Sequence, residues 1–257
     1  MWEVIEQIPR RPLLLASSSF VVLCFATWAG VAVLTRLKQQ VIELHDDLHL
    51  VENATLTLLA LIIGFTFSMA VGRYDQRKNL EEAEANAIGT EYARLELMPT
   101  EIADKARALL RAYADARISF YRNREPEQQR KTDAEATRML DQLWGTIAPE
   151  AEARPTAVAA LVASGMNDVM NSQGYTLAAW RNRLPVEVWM LLILVATCSS
   201  FLIGVGAEKL SVTTRAILPV TVSLAFLLIA DVEGPRSGWV QVEPTNLDDA
   251  AASMRPQ

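Results

Sequence analysis

Two interleaved sets of residues carry the spacing in this chain that most suggests a task. Gly64, Ser68 and Gly72 recur every four residues, and so do Thr57, Leu61 and Phe65. Small residues four apart let two membrane helices meet backbone to backbone. If that stripe packs against a neighbour, the second stripe can face a central axis. A ring of Leu and Phe around an axis is a hydrophobic constriction that gates by dewetting. The alternative is that both stripes pack against other spans of the same chain.

Other chemistry is scarce. His45 and His49 form an H-x-x-x-H with Asp46 and Asp47 between them. That spacing can place two metal ligands on one helix face, but no third ligand is evident, and a polar interfacial loop accounts for it better. No metal site and no cofactor is expected. Ionisable residues inside a membrane would point to a pump or proton relay. The first three charge-free runs hold none, and Asp231 sits only at the end of the fourth. There is no Gly-rich phosphate loop, no Cys/His zinc spacing and no catalytic constellation, so no enzyme is expected. Lys and Arg are dispersed without an aromatic-basic pattern, which excludes nucleic acid as a partner. Cys24 and Cys198 both fall in apolar runs and read as small packing residues.

The elements that must position these residues follow from charge segregation. The 257 residues are 51% hydrophobic yet 21% charged, with a net charge of −6. Charge is absent from Pro12 to Leu34, Ala54 to Gly72, Val188 to Gly206 and Ala216 to Ala230. A bilayer core takes roughly 17 to 25 apolar residues of helix. The runs therefore predict four spans: 12–34, 54–72, 185–206 and 216–232, the last extended past Asp231. Pro219 should lie in the first turn of the fourth span, where proline costs little. Arg10 and Arg11 precede the first run as in a signal peptide, but its length and the lack of an A-x-A site favour a retained span. Trp2 reads as an interfacial anchor, and Trp180 and Trp189 as part of an aromatic belt.

Span two passes without proline from Ala54 to Met98 and reads as one helix continuing into water. Its continuation is predicted to bury residues 80, 83, 87, 88, 92 and 95, leaving Glu81, Glu82, Glu84, Glu91 and Glu96 on its other faces. Residues 73–184 read as a helical bundle. Within it, 125–131 reads as a polar turn, T-D-A-E from Thr132 as a capping box opening the next helix, and Pro149 and Pro155 as brackets of a loop. The tail, 244–257, is expected to be disordered. Counting Lys and Arg near span ends gives eight against four, which places the termini and the bundle in the cytoplasm of a cell with the spans in its inner membrane.

Three segments carry a resemblance: GFTFSMAVGRYDQRKNLEEAEANAIGTEY at 64–92, RNRLPVEVW at 181–189 and ADVEGPRSG at 230–238. They resemble the bestrophin-like prokaryotic membrane proteins, a family of unassigned function. More distantly, Gly64-Phe65 followed after seven residues by Arg73-Tyr74 is similar to the neck helix of bestrophin channels. That similarity implies that Thr57, Leu61 and Phe65 are neck positions, and it implies a pentamer with a pore along span two and conduction of small inorganic ions. Three departures stand out: Tyr74-Asp75 replaces an aromatic pair, Thr57 is polar, and Asp231 with Glu233 are too few for a calcium clasp.

The expected protein is therefore all-α, with four spans and a cytoplasmic helical bundle. It is a homo-oligomer in the lipid bilayer that passes small anions. Gly64, Ser68 and Gly72 would be its packing face and Thr57, Leu61 and Phe65 its constriction. Arg73 and Arg77 would bias the cytoplasmic mouth. The rival expectation is a non-conducting scaffold or sensor whose bundle binds a partner.

Overall fold

Helices are the regular elements throughout the described residues, which are 11–36, 45–206, 211–235 and 238–255 of a computed structural model. Trp2, Arg10, Lys38, the loop residues Glu208 and Lys209, and Arg236 lie outside them. The helices are α1 (Pro12–Arg36), α2 (His45–Arg94), α3 (Thr100–Arg122), α4 (Pro126–Ala153), α5 (Ala157–Arg181), α6 (Val186–Val205), α7 (Val212–Glu233) and α8 (Thr245–Ser253). A 3-10 turn, Leu95–Leu97, follows α2. Among the described residues, four stretches are long and apolar enough to cross a membrane: α1, α2, the stretch Ala157–Val205 that ends in α6, and α7.

The chain divides into two units, one of Met1–Tyr74 with Arg183–Gln241 and the other of Asp75–Asn182 with Val242–Gln257. In the first, α1 packs on α6 and α7. Its core gathers Leu15 and Leu23 of α1, Leu59 and Ala70 of α2, Trp189 and Leu192 of α6, and Phe226 and Ile229 of α7. The closest approach is between α1 and α6. A Cβ on Gly30 would overlap the carbonyl of Phe201, and one on Gly204 would overlap the carbonyl of Thr27. Bare backbone at both positions lets the two spans touch.

Helix ends follow local chemistry. Ser211 caps α7, its hydroxyl accepting from the Thr214 N–H at 3.2 Å. Thr156 caps α5 in the same way through the Ala159 N–H at 3.1 Å. Because α7 begins at Val212, Pro219 lies in its interior rather than in a first turn. It leaves the carbonyl four residues back without its helical N–H.

In the second unit α3 packs on α4, α4 on α5, and α8 on α3. Leu110, Tyr113, Leu143, Ile147, Val162, Met166 and Val169 are fully buried. Several expectations fail in this unit. The stretch 125–131 is not a turn: α4 starts at Pro126, a residue suited to a first helical turn. Thr132 is therefore inside the helix, its hydroxyl donating to the Gln128 carbonyl at 2.8 Å, and caps nothing. Pro149 also lies within α4, which ends at Ala153 just ahead of Pro155. Within the tail, Thr245–Ser253 form a helix, α8. Leu247, Ala251 and Met254 share one face of α8 and its C-terminal end, and all three are buried.

The burial phase of α2 beyond Tyr74 differs from the expected one. Ala83 is exposed, whereas Arg77, Glu81, Glu84, Ala85, Ile88, Glu91 and Leu95 are buried. Only Glu82 and Glu96 of the five glutamates lie open. Trp180 and Trp189 are core residues, 4% and 3% exposed, and do not form a belt. Trp189 meets Phe226 edge-on at 6.3 Å, and Trp180 packs on Phe120 at 5.0 Å.

Candidate functional site

The apolar part of α2 is where the candidate residues fall. Leu59, Thr66 and Ala70 face the core of the first unit, flanked by half-buried Ile62 and Ile63. The opposite side is uncovered. Leu61 is 54% and Phe65 63% exposed, and Leu58, Phe67 and Met69 are also open. Thr57 is exposed too, and its hydroxyl donates to the Asn53 carbonyl at 2.8 Å within its own helix. Gly64, Ser68 and Gly72 are exposed, and a Cβ added at Gly64 or Gly72 would meet nothing within 4 Å. Neither stripe packs against another span of this chain. The intrachain alternative fails because the buried face of α2 is a third one.

The two arginines of the expected mouth are not equivalent. Arg73 pairs with Glu233 at the end of α7, Nη1 to Oε2 3.5 Å. The other Glu233 oxygen accepts the Leu184 N–H at 2.6 Å, just before α6. Glu233, only 5% exposed, thus ties three chain segments of the first unit together. Arg77 is 1% exposed. Its side chain is not on an open face, and this corrects its placement at a mouth.

Asp231, in the last turn of α7, accepts from the Trp239 and Val240 N–H groups at 2.8 and 3.0 Å. Both of its oxygens hold residues 239 and 240 beside the end of α7. His49 pairs with Glu52 at 3.3 Å, the side chain of His45 lies outside the described residues, and no group of three metal-ligating side chains occurs among the described residues.

In the second unit the carboxylates of α2 organise the bundle. Glu84 is fully buried and takes Arg117 of α3 as a bidentate partner, with Nη2 3.3 Å from Oε2. Tyr113, Tyr121 and Thr176 donate to it at 3.3, 3.4 and 3.1 Å. Burial pushes both tyrosines above their ordinary range, and the adjacent carboxylate adds to the effect. Burial opposes the charge on Arg117, but Glu84 outweighs it and holds that group above its usual value. Glu81 caps α8: its oxygens accept from the Leu247 N–H at 2.9 Å and from Asn246 at 2.7 Å.

None of these carboxylates was singled out by sequence reasoning. The signal that could have found them is their own spacing, 77, 81, 84, 88, 91 and 95, which is helical once charged residues are allowed on a buried face.

Four apolar helical stretches among the described residues define a multi-pass α-helical membrane protein. More narrowly, the chain belongs to the Bestrophin-like family, whose Bestrophin-like domain matches residues 18–247. The fold agrees. A bacterial bestrophin homologue from Klebsiella pneumoniae carrying an L177T mutation superposes with a TM-score of 0.64 at 14% identity, covering 94% of this chain and 99% of that one. Another structure of a Klebsiella pneumoniae bestrophin homologue gives 0.62 at 16% identity, covering 92% and 94%. Comparison with curated protein sequences finds no match.

Proposed function

We propose that this chain assembles with copies of itself into a ring of about five, lined by α2, that conducts small inorganic ions across the inner membrane. The observation that carries this reading is how little of α2 its own chain covers. Its apolar window is 17% buried, against 33%, 39% and 44% for the other three. Gly64, Ser68 and Gly72 let neighbouring copies approach. Thr57, Leu61 and Phe65 then face the axis as the constriction.

The anion preference now rests on less. Arg73 is partly neutralised by Glu233 and Arg77 is buried. Arg73 alone remains to favour anions at the mouth. The Lys/Arg distribution supports a cytoplasmic bundle and cytoplasmic termini. No reaction is assigned.

Reconstitution in a planar bilayer tests the reading. Wild-type protein should pass current, and Leu61→Ala and Phe65→Ala should each raise unitary conductance by widening the apolar ring. The absence of current in all three would overturn it. A reversal potential under a potassium chloride gradient gives the sign of the preferred ion, and Arg73→Gln should reduce any anion preference.

A further inference from the structure

Glu91 is the one carboxylate of the bundle's buried set that the interactions above leave unexplained. It lies near the end of α2, 19 residues past Gly72, the last residue of the charge-free run. That is about 28 Å of helix, well beyond the span. Its side chain is 0% exposed, and neither of its oxygens has a hydrogen-bond partner. Gly165 of α5 makes the space for it, since a Cβ there would overlap the Glu91 carboxyl.

One cation stands at the rim of this slot. Arg94, the last residue of α2, is 27% exposed. Its Nη1 is 4.0 Å from Glu91 Oε2 and 4.0 Å from Asp168 Oδ2 on α5. The guanidinium is thus shared between a buried carboxyl and an open one at equal reach, and it holds neither in a close pair. These two are the charged groups that act on Glu91, one from its own helix and one from the helix packed against it.

We propose that Glu91, Arg94 and Asp168 form a proton-operated switch in the bundle. With Glu91 neutral, Arg94 belongs to Asp168. When Glu91 gives its proton to water at the rim, the new buried charge draws Arg94 off Asp168 and into the slot. A buried slot that offers the carboxyl no hydrogen-bond donor disfavours the charged carboxylate, so the neutral form is the resting one. Burial pushes the Glu91 carboxyl up to about 8, with Asp168 adding to the rise and Arg94 opposing it.

The sign of the pH dependence follows. A carboxyl raised in the fold above its ordinary value of 4.5 binds more protons folded than unfolded between the two values. The stability it contributes is fully present below the ordinary value and is lost as pH rises through about 8.

The test uses the full chain in nanodiscs and does not depend on conduction. Infrared difference spectra with labelled glutamate would follow the protonated carboxyl band from about pH 6 to about pH 9.5, beside thermal midpoints over the same range. Wild type should show one glutamic acid band at the lower pH that titrates away as the midpoint falls. Glu91→Gln should lack the band and flatten the midpoint profile.

The variants of the two neighbours test whether Arg94 and Asp168 are coupled to Glu91 in opposite senses, as the proposal requires. Asp168→Asn should move the titration down by about one pH unit, and Arg94→Gln should move it up by a similar amount. Absence of the band at the lower pH, its survival in Glu91→Gln, or shifts of the same sign in the two neighbour variants would each overturn the proposal. Should Glu91→Gln fail to fold, the wild-type band and the opposed shifts of the other two variants still decide.

Discussion

Up to Gly72, α2 is free of charge from Ala54 onward, yet its large side chains lie open: Leu58, Leu61, Phe65, Phe67 and Met69 are all exposed. Beyond Tyr74 the same helix is crowded with charge, yet Arg77, Glu81, Glu84 and Glu91 are buried. The pattern inverts the usual rule of apolar residues inside and charged residues outside. In the first half the surroundings are lipid and, on the reading proposed above, other copies of the chain. Exposure of Leu and Phe costs nothing there, and association depends on close backbone approach rather than on water. In the second half burial is tolerated where each charge is met. Glu84 has a guanidinium and three hydroxyls, and Glu81 has two N–H donors of α8.

The strongest way to break this contrast is to leave a buried charge alone. Arg117→Ala strips Glu84 of its cation in a site with no access to water, and removing one partner of a buried pair costs about 3 to 5 kcal/mol. Chemical denaturation of the purified protein should show a loss of that order. A loss below about 1 kcal/mol would mean that Glu84 is not in a dry site.

A second test sets a close-packed glycine of the first unit, Gly204, against an open one, Gly64. Gly204→Val forces a side chain into the Thr27 backbone and should cost about 1 to 3 kcal/mol or abolish folding. A Cβ at Gly64 meets no residue outside its own helix turn within 4 Å, so Gly64→Val has open space to enter. It should leave the single-chain stability within about 0.5 kcal/mol and lower the fraction of assembled protein instead. Thermal unfolding and size-exclusion profiles of the two variants read these effects separately.

A smaller effect is expected from Glu81→Ala. It removes the acceptors that hold the start of α8 and should cost about 1 kcal/mol, as loss of a helix cap does. Limited proteolysis should then cut near Pro244 faster than in wild type, while the aromatic cluster of Phe120, Tyr121 and Trp180 stays packed.

How much of this was readable from residues alone depends on range. The spans were legible because an uncharged run of that length has few other uses. The absence of proline between Ala54 and Met98 gave the long helix its continuity, but not its start. α2 begins at His45, ahead of the apolar run, because Asp46, Asp47 and Glu52 are compatible with helix though not with lipid. The Gly30 and Gly204 contact was missed although small residues precede both at four-residue spacing, Ala26 before Gly30 and Ala196 with Ser200 before Gly204, because such a repeat marks a packing face without naming its partner. The buried carboxylates were misread because periodicity assigns faces by hydropathy. Glu84 earns its place by a partner on α3, and no local pattern announces that. The tail failed for a related reason: Leu247, Ala251 and Met254 are too few to show a period.

The central claim is that the uncovered face of α2 is covered by other copies around an axis. Particle images of the protein in lipid nanodiscs test it most directly. The account predicts a closed ring of about five identical chains, with α2 innermost and Thr57, Leu61 and Phe65 pointing at the axis. A monomer or dimer, or a ring with α2 on its outer surface against lipid, would contradict it.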